Sequence, residues 1–362
     1  MVTTLDTSNR NFKLMKITKT IQSKIEQTDF DNLSFGKCFS DHMFSISFKN
    51  NEWQKPEILP YGPLSLNPGT HVFHYGQAIF EGMKAYKNEQ GETLLFRPQE
   101  NIKRLNRSAD RMCMPRIDEA IFMQGLTTLL EIDKDWIPNS ESMSLYIRPF
   151  MIANSEFIRA TPASDFKFMI ITSPTSTYYA GKTNLKIEQK YARSVVGGTG
   201  FAKAAGNYAA AFAPTKKVQN EGFTQIIWTD AISHEYIEEC GTMNIMFRID
   251  DKIITPKLSE SILGGITRDS IITIAKQKGI EVEERRISVS EIIEHYNNGR
   301  LKEAFGVGTA VTLNPIDSIT FNDTVIDIEK INENSYATLL KSELLGIQYG
   351  KIEDVNGWTF KV

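Results

Sequence analysis

Four glycine-rich segments lie close together in the second half of this 362-residue sequence, and they restrict the fold more than any other feature. They are GGTGFAKAAGNY (197–208), EECGTMN (238–244), LGGITRD (263–269) and GVGTA (306–310). Glycine lets the backbone approach a ligand closely, and successive free N–H groups bind anions. Gly264 and Gly265 precede a predicted helix near Ile266, whose N-terminus favours a phosphate. Together the segments predict a chain built around a phosphorylated ligand.

Two common nucleotide-binding motifs do not fit these segments. A dinucleotide loop requires G-x-G-x-x-G, but Lys203 stands at the third glycine position after Gly198 and Gly200. A P-loop requires a glycine five residues before Gly181, where the sequence has Ser176. The sequence therefore disfavours nucleotide binding through either motif.

Lys203 narrows the choice of ligand. It stands in a loop of glycine and alanine just ahead of a predicted helix, and these small neighbours leave room for a planar ring. An ammonium that loses water is more readily deprotonated, and the neutral amine is the form that makes Schiff bases. A Schiff-base lysine beside phosphate-binding turns is typical of pyridoxal-phosphate (PLP) chemistry, which also needs a carboxylate at the ring nitrogen. Glu239, among Cys, Gly, Thr and Met, is the candidate carboxylate.

The spacing of apolar residues predicts an α+β protein. A chain of this length favours two domains. We expect a polar, poorly anchored arm at 1–34, a small α+β domain at 35–173, a loop rich in Pro, Gly, Ser and Thr at 174–183, and a larger domain at 184–362. Strands are predicted at 38–48, 78–87, 93–97, 145–153, 166–172, 224–229, 243–250, 252–255 and 303–306. Helices are predicted at 99–112, 118–132, 207–220, 267–278 and 332–344.

Composition argues against several classes of partner. Hydrophobic residues make up 41% and charged residues 23% of the chain, as is usual in globular proteins. The net charge is −3 and the basic residues are scattered, so we expect neither nucleic acid nor a membrane surface as partner. No apolar run approaches the roughly 20 residues that span a bilayer, and the first twenty residues lack an apolar signal segment. Cys38, Cys113 and Cys240 form no C-x-x-C pair, which favours a reducing cytoplasm over disulfides or a zinc site.

The motifs taken together resemble those of the branched-chain amino acid aminotransferases, PLP enzymes of fold type IV. Further matching motifs are FGKCFSDHM (35–43), HYGQAIFEGMKAY (74–86), FRPQENIKRLNRSADRMCMP (96–115), SLYIRP (144–149) and IQYG (347–350). The resemblance runs from about Phe35 to Val362 and is greatest to the longer, eukaryotic-like class. It implies a small α+β domain and a larger pseudo-barrel domain with PLP between them. It also implies amino-group transfer between L-leucine, L-isoleucine or L-valine and 2-oxoglutarate.

The resemblance implies a cofactor site made of seven residues. Lys203 matches the lysine that binds PLP covalently and moves the α-proton, and Tyr208 matches the tyrosine at the phenolate oxygen. Glu239 matches the acid at the pyridine nitrogen. The phosphate would be held by Arg104, by the backbone amides of Ile266 and Thr267, and by Thr309.

The resemblance also implies a substrate site. The α-carboxylate would meet the backbone amides of Thr242 and Ala310 and a tyrosine from the other subunit, here Tyr75, so we expect a homodimer. Arg148 matches an arginine that accommodates the γ-carboxylate of glutamate. The residues that match the apolar pocket for leucine, isoleucine and valine side chains are Phe35, Phe80, Tyr146, Tyr178 and Thr242.

Alternatives remain open at this point. D-amino acid aminotransferase and aminodeoxychorismate lyase belong to the same fold, and a phospholigand-binding module without catalysis would also explain the glycine-rich turns. The segments YGQAIFEGMK (75–84) and YIRP (146–149) favour branched-chain L-substrates. Mammalian members carry a redox-active C-x-x-C where this sequence has Val311 and Asn314, so we expect no thiol–disulfide regulation there.

Overall fold

The computed structural model describes residues 15–176 and 181–362. In these two ranges no helix has both the length and the apolar character needed to cross a bilayer. The helices are α1 His71–Tyr75, α2 Pro98–Arg111, α3 Glu119–Ile132, α4 Ala205–Asn220, α5 Ile266–Gln277, α6 Val289–Asn297 and α7 Tyr336–Gln348. The strands are β1 Lys16–Ile17, β2 His42–Lys49, β3 Glu52–Trp53, β4 Glu57–Pro60, β5 Ala78–Phe80, β6 Met83–Lys87, β7 Thr93–Phe96, β8 Ser144–Ala153, β9 Phe166–Thr175, β10 Asn184–Ile187, β11 Gln225–Thr229, β12 Ile237–Cys240, β13 Met243–Ile249, β14 Lys252–Thr255, β15 Glu281–Glu284, β16 Leu301–Gly308, β17 Thr312–Pro315, β18 Ser318–Phe321, β19 Thr324–Asp327 and β20 Thr359–Lys361.

Helix starts follow from local capping chemistry. α2 begins with Pro98, which needs no N–H partner at that position. The Asp118 side chain accepts two backbone N–H groups at the start of α3. α5 begins after Gly265 with no side-chain cap. Because the first N–H groups of a helix have no intrahelical acceptor, those of α5 are available to another group.

The first half of the chain builds a mostly antiparallel sheet. Among the described residues its strand order is β1-β4-β2-β9-β8-β6-β7-β20, with β3 beside β2 and β5 beside β8. Strand β20 comes from the C-terminus, so the end of the chain closes one edge of this sheet. The aromatic centre of the core is Phe168, whose ring lies 6.1 Å from that of Phe44 in β2 and 6.0 Å from that of Phe122 in α3.

The second half builds a branched sheet that carries the glycine-rich segments. Its strands run β15-β14-β13-β12-β11-β10-β18-β19, and β16 joins β13 to β17. Strand β10 is parallel to both β11 and β18. The turns after β12 and β16 and the N-terminus of α5 hold three of the four glycine-rich segments, and the fourth leads into α4.

The predicted α+β class is confirmed, and most predicted elements form near their predicted positions. The predicted strand at 78–87 is interrupted at Glu81 and Gly82, and the helix predicted from 332 begins at Tyr336. Residues 15–34 are attached more firmly than their polar composition suggests, because backbone pairing and polar side chains hold them. Strand β1 pairs in parallel with β4, with Lys16 opposite Glu57.

Candidate active site

A cavity of about 980 Å³ is lined by residues from both sheets. This volume lies within the usual range for small-molecule sites. Of the residues predicted to form the site, Tyr178 lies outside the described residues, and Tyr75 does not line the cavity that the described residues enclose. The predicted residues that do line it are Phe35, Phe80, Arg104, Tyr146, Arg148, Lys203, Tyr208, Glu239, Thr242, Ile266, Thr267, Thr309 and Ala310.

Lys203 presents its amine to the cavity where the two halves of the chain meet. Its Nζ lies 2.9 Å from Tyr208 Oη and 4.9 Å from the ring centre of Phe80. The Lys203 backbone N–H donates to Ser108 Oγ in α2 at 2.9 Å, and its carbonyl accepts the Phe80 N–H of β5 at 3.1 Å. Because Tyr208 lies in the first turns of α4, the short loop before that helix brings the phenol and the amine together. The backbone contacts fix this amine relative to α2 and β5.

Glu239 lies on β12 and is only 3% exposed. Its Oε1 accepts the Leu263 backbone N–H at 2.8 Å, and its Oε2 lies 2.8 Å from Arg193 Nε. Burial raises the pKa of the Glu239 carboxyl, and the nearby Arg193 guanidinium opposes that effect. A buried carboxyl with a raised pKa can share a proton with a basic nitrogen in the same cavity.

Arg104 projects from α2 and is held by a fully buried carboxylate. Its Nε and Nη2 donate to the two oxygens of Glu81 at 2.7 and 2.8 Å, and its Nη1 donates to the Gly264 carbonyl at 3.0 Å. Burial would raise the pKa of Glu81, but Arg104 holds that pKa below its usual value. A guanidinium has five N–H donors, so two remain for an anion in the cavity.

The N-terminus of α5 reaches the cavity through a turn that only glycine fits. A Cβ on Gly265 would lie 2.0 Å from Asn244 Oδ1, and the Asn244 side chain in turn donates to the Leu263 carbonyl at 2.9 Å. Ile266 and Thr267 line the cavity as the first residues of this uncapped helix. Their backbone N–H groups and the helix dipole favour an anion at this position.

Thr309 and Ala310 lie in the turn between β16 and β17. The Ala310 carbonyl accepts a hydrogen bond from Lys84 Nζ at 2.9 Å. Lys84 belongs to β6 of the other sheet, so this contact attaches the turn to the first half of the chain. Burial lowers the pKa of Lys84 to about 8, and Lys341 has a smaller effect in the same direction.

One wall of the cavity combines aromatic rings with a guanidinium. The rings of Phe35 and Tyr146 meet edge to face at 4.7 Å, and a Cβ on Gly82 would lie 2.2 Å from Tyr146 Oη. The Arg148 guanidinium lies 4.5 Å from the ring centre of Phe80 and donates to Tyr146 Oη at 3.1 Å. Arg148 Nε is buried and has no hydrogen-bond partner among the described residues. Such a wall suits a ligand that is either apolar or ends in a carboxylate.

Tyr75 lies at the end of α1, apart from the cavity, and is 41% exposed. Its ring is 4.7 Å from that of buried His71, and the adjacent Phe73 is 60% exposed. The position of Tyr75 is therefore inconsistent with a role in the cavity of its own chain as the described residues define it.

Several residues that shape the site were not predicted from the sequence. Glu81 and Lys84 interrupt an otherwise apolar predicted strand, which is a weak signal that could have drawn attention to them. No such signal marks three other residues, because each contacts a partner that is far away in the sequence. The pairs are Arg193 with Glu239, Ser108 with Lys203 and Asn244 with Leu263.

The chemistry of these groups fits PLP. An amine projects into the cavity beside a phenol, as an aldehyde and its neighbouring ring oxygen require. The two spare donors of Arg104 and the uncapped α5 N-terminus fit a phosphate, and Gly265 lets the turn before α5 pack closely against Asn244. The buried acid Glu239 fits a ring nitrogen that must keep its proton.

Solved structures of branched-chain amino acid aminotransferases share this fold. The structure of Escherichia coli branched-chain amino acid aminotransferase aligns with a TM-score of 0.72 at 23% identity and covers 88% of this chain and 98% of that one. A branched-chain aminotransferase from Thermoproteus uzoniensis, solved with norvaline, aligns with a TM-score of 0.73 at 22% identity and covers 88% and 99%. The fold class predicted from the sequence, fold type IV, is therefore confirmed.

Sequence comparison defines the family. Residues 78–319 match the family model for amino-transferase class IV. Branched-chain-amino-acid aminotransferase 2 of Bacillus subtilis is 44% identical over 344 residues, covering 94% of this chain and 95% of that protein. Branched-chain-amino-acid transaminase 1 of the same organism is 43% identical over 356 residues, covering 97% and 99%. The chain belongs to the class IV aminotransferases and, within them, to the branched-chain-amino-acid aminotransferases.

Proposed function

We propose that this protein transfers the amino group between L-leucine, L-isoleucine or L-valine and 2-oxoglutarate, with PLP as cofactor. The observation that carries the proposal is the wall next to Lys203, where aromatic rings surround a guanidinium with an unused donor. An apolar side chain would contact the rings, and the γ-carboxylate of glutamate would pair with Arg148. One wall can therefore serve both half-reactions.

Each group that holds PLP has a distinct task. When bound, PLP supplies an aldehyde for an amine and a ring that withdraws electrons from the α-carbon. Lys203 Nζ would hold the cofactor and move the α-proton, and Tyr208 Oη, 2.9 Å away, would orient that amine. Glu239 would keep a proton on the ring nitrogen. Arg104, the amides of Ile266 and Thr267, and Thr309 would bind the phosphate.

The substrate carboxylate would be bound at the turns that end β12 and β16. Thr242 and Ala310 line the cavity at these two turns. Lys84 supports the second turn through the Ala310 carbonyl, and the Ala310 backbone N–H would bind the carboxylate. We assign the remaining carboxylate contact to Tyr75 of a second subunit, because its own ring lies away from the cavity.

The reaction is tested by supplying purified, PLP-loaded protein with L-leucine and 2-oxoglutarate and measuring glutamate. We expect turnover with L-leucine, L-isoleucine and L-valine and much slower turnover with D-leucine. Faster turnover of D-leucine would favour a D-amino acid aminotransferase, and pyruvate release from aminodeoxychorismate would favour the lyase. Protein that binds PLP but transfers no amino group would indicate a binding module.

We also propose a homodimer in which Tyr75 completes the partner's site. Mixed dimers of Lys203→Ala and Tyr75→Phe chains test this arrangement, since one of their two sites would contain both wild-type residues. Recovery of activity on mixing two impaired variants is the expected result. Full activity in a monomer, or no recovery in proven mixed dimers, would contradict it.

The remaining assignments are proposals of the same kind. The two domains are taken as 35–173 and 184–362, joined by 174–183. Tyr178 is assigned to the substrate pocket on the sequence resemblance alone. The free thiols of Cys38, Cys113 and Cys240 support a reducing cytoplasm as the location of the protein.

A further inference from the structure

Residues 15–35 form an arm that runs from the edge of the first sheet to the substrate wall. At its start, the arm pairs with β4 through the two-residue strand β1, by bonds from the N–H groups of Lys16 and Thr18 to carbonyls of Pro56 and Ile58, and Met15 packs against the core. At its end, the Phe35 ring meets Tyr146 in the cavity wall. The contacts in between therefore help to keep Phe35 in place.

The central attachment of the arm is a cluster that we call the arm latch: Thr20, Ser23 and Lys24 of the arm with Asp41 and His42 of the sheet. Ser23 Oγ donates to Asp41 Oδ2 at 2.6 Å, and the Lys24 backbone N–H donates to Asp41 Oδ1 at 2.9 Å. The Thr20 backbone N–H donates to His42 Nε2 at 2.9 Å. Asp41 is 8% exposed and His42 is 5% exposed, so water competes weakly for these bonds.

The sheet side of the arm latch is also held by groups outside the arm. Trp136 Nε1 donates to Asp41 Oδ2 at 2.9 Å. The His42 imidazole and its backbone N–H both bond the Asp133 carboxylate, at 2.6 and 3.0 Å. Because His42 Nε2 accepts from Thr20, the ring proton must lie on Nδ1, toward Asp133. Both acceptors therefore face the arm in a preset orientation.

The far end of the arm connects the arm latch to the substrate wall. The Phe30 ring lies 6.2 Å from the Trp136 ring, and the Leu33 carbonyl accepts a hydrogen bond from Ser176 Oγ at 3.3 Å. The Phe35 ring then lies 4.7 Å from the Tyr146 ring, whose hydroxyl accepts from Arg148. Among the described residues, the first backbone hydrogen bond to the sheet after Phe35 is made by Ser40, whose N–H donates to the Thr172 carbonyl.

We propose that Asp41 and His42 are positioning residues for substrate selectivity, because the arm latch keeps Phe35 in the apolar wall. The inference rests on the proposed function. Release of the arm would remove the ordered chain that precedes Phe35, so the ring would be less well fixed and an apolar substrate would lose part of its contact surface. Glutamate would keep its partner Arg148, which is anchored in β8 rather than in the arm.

The test compares three full-length, PLP-loaded variants with the wild type. Asp41→Asn changes the buried acceptor of the arm latch. Ser23→Ala removes the hydroxyl that donates to Asp41, and because Ser23 is exposed this change should leave the fold intact. Gln22→Ala, at the exposed neighbouring position, is the matched control. Hydrogen exchange of the peptide 15–34 reports whether the arm is released, independently of activity.

For a released arm we expect faster amide exchange in 15–34 and a KM for L-leucine raised by about tenfold, as for other losses of apolar contact. The KM for L-glutamate should change by less than about twofold, and kcat should stay near the wild-type value. Equal changes in both KM values, or a released arm with an unchanged KM for L-leucine, would overturn the inference. Unchanged exchange in both Asp41→Asn and Ser23→Ala would overturn it as well, because the arm latch would then not hold the arm.

The wild-type control separates this inference from the proposed function. If wild-type protein does not turn over L-leucine, the proposed function is wrong. If the wild type turns over L-leucine but the released variants show no selective rise in its KM, only the role of the arm latch is wrong.

Discussion

Glu81→Gln should destabilise the protein strongly, although it changes one atom in a side chain that the cavity does not expose. Glu81 is completely buried and accepts four hydrogen bonds: two from Arg104 at 2.7 and 2.8 Å, one from Asn101 at 2.7 Å and one from the Gly82 N–H at 3.2 Å. Glutamine has only one acceptor oxygen. Its NH2 group would face one of the N–H donors that now bond the second carboxylate oxygen. In the protein without PLP, which is the form to compare, Arg104 would then be a buried cation without a counter-charge.

Removing one partner of a buried ion pair costs about 3–5 kcal/mol. The amide oxygen of glutamine retains part of the interaction, so we expect a loss of about 3 kcal/mol. For a domain of this size that corresponds to a fall in Tm of about 6–12 °C. Differential scanning calorimetry of the wild type and the variant measures this difference in Tm.

The matched control is Glu100→Gln on α2, the helix that carries Arg104. Glu100 pairs with Lys103 at 2.8 Å, but the two side chains are 39% and 54% exposed. Exposed pairs contribute about 1 kcal/mol or less, so this variant should melt within a few degrees of the wild type. Equal losses in the two variants would refute the reasoning from burial.

The effect should also depend on pH in a defined direction. Because Arg104 holds the pKa of Glu81 below its usual value, its contribution is present above the unfolded-state pKa and is lost as pH falls through the folded-state pKa. The difference in Tm between wild type and Glu81→Gln should therefore be largest near neutral pH and shrink in acid. A difference that is constant into acid would contradict this account.

Two further predictions concern the cavity walls. The pKa of Lys84 is lowered to about 8, below its unfolded value, so its contribution to stability rises as pH increases between about 8 and 10.5, by at most about 3 kcal/mol. Urea titrations at several pH values should show this rise in the free energy of unfolding for the wild type and not for Lys84→Met. The same pH dependence in both proteins would refute the prediction. Arg148→Gln should raise the KM for 2-oxoglutarate by about tenfold or more and change that for L-leucine much less, since only the acid needs the guanidinium. Steady-state kinetics with both substrates measures this, and equal changes would argue against the proposed role.

The sequence was sufficient to predict several residues that line the cavity. Lys203 could be predicted because a lysine in a glycine- and alanine-rich loop is unusual, and Glu239 because Cys, Gly, Thr and Met follow it in the sequence. Arg104 and Tyr208 required the resemblance to a family, since an arginine and a tyrosine on helices have many ordinary roles. The structure places all four around one cavity.

The groups that support these residues could not be predicted, because their partners are brought together by folding. Arg193 pairs with Glu239, and Glu81 pairs with Arg104, across tertiary distances that no local pattern encodes. The arm was expected to be poorly anchored because residues 1–34 are polar. In the described part, Asp41 and His42 hold it through hydrogen bonds in addition to the packing of Met15, Ile25 and Phe30, and periodicity does not predict such hydrogen bonds.

We propose above all that the amine of Lys203 binds PLP in this cavity. Borohydride reduction of the PLP-loaded protein, followed by peptide mass spectrometry, identifies the modified lysine directly. We expect one pyridoxyl-labelled peptide, which contains Lys203. A folded Lys203→Ala variant should give no labelled peptide and should lose the visible absorption band. Labelling of a different lysine, or an unchanged band in Lys203→Ala, would contradict it.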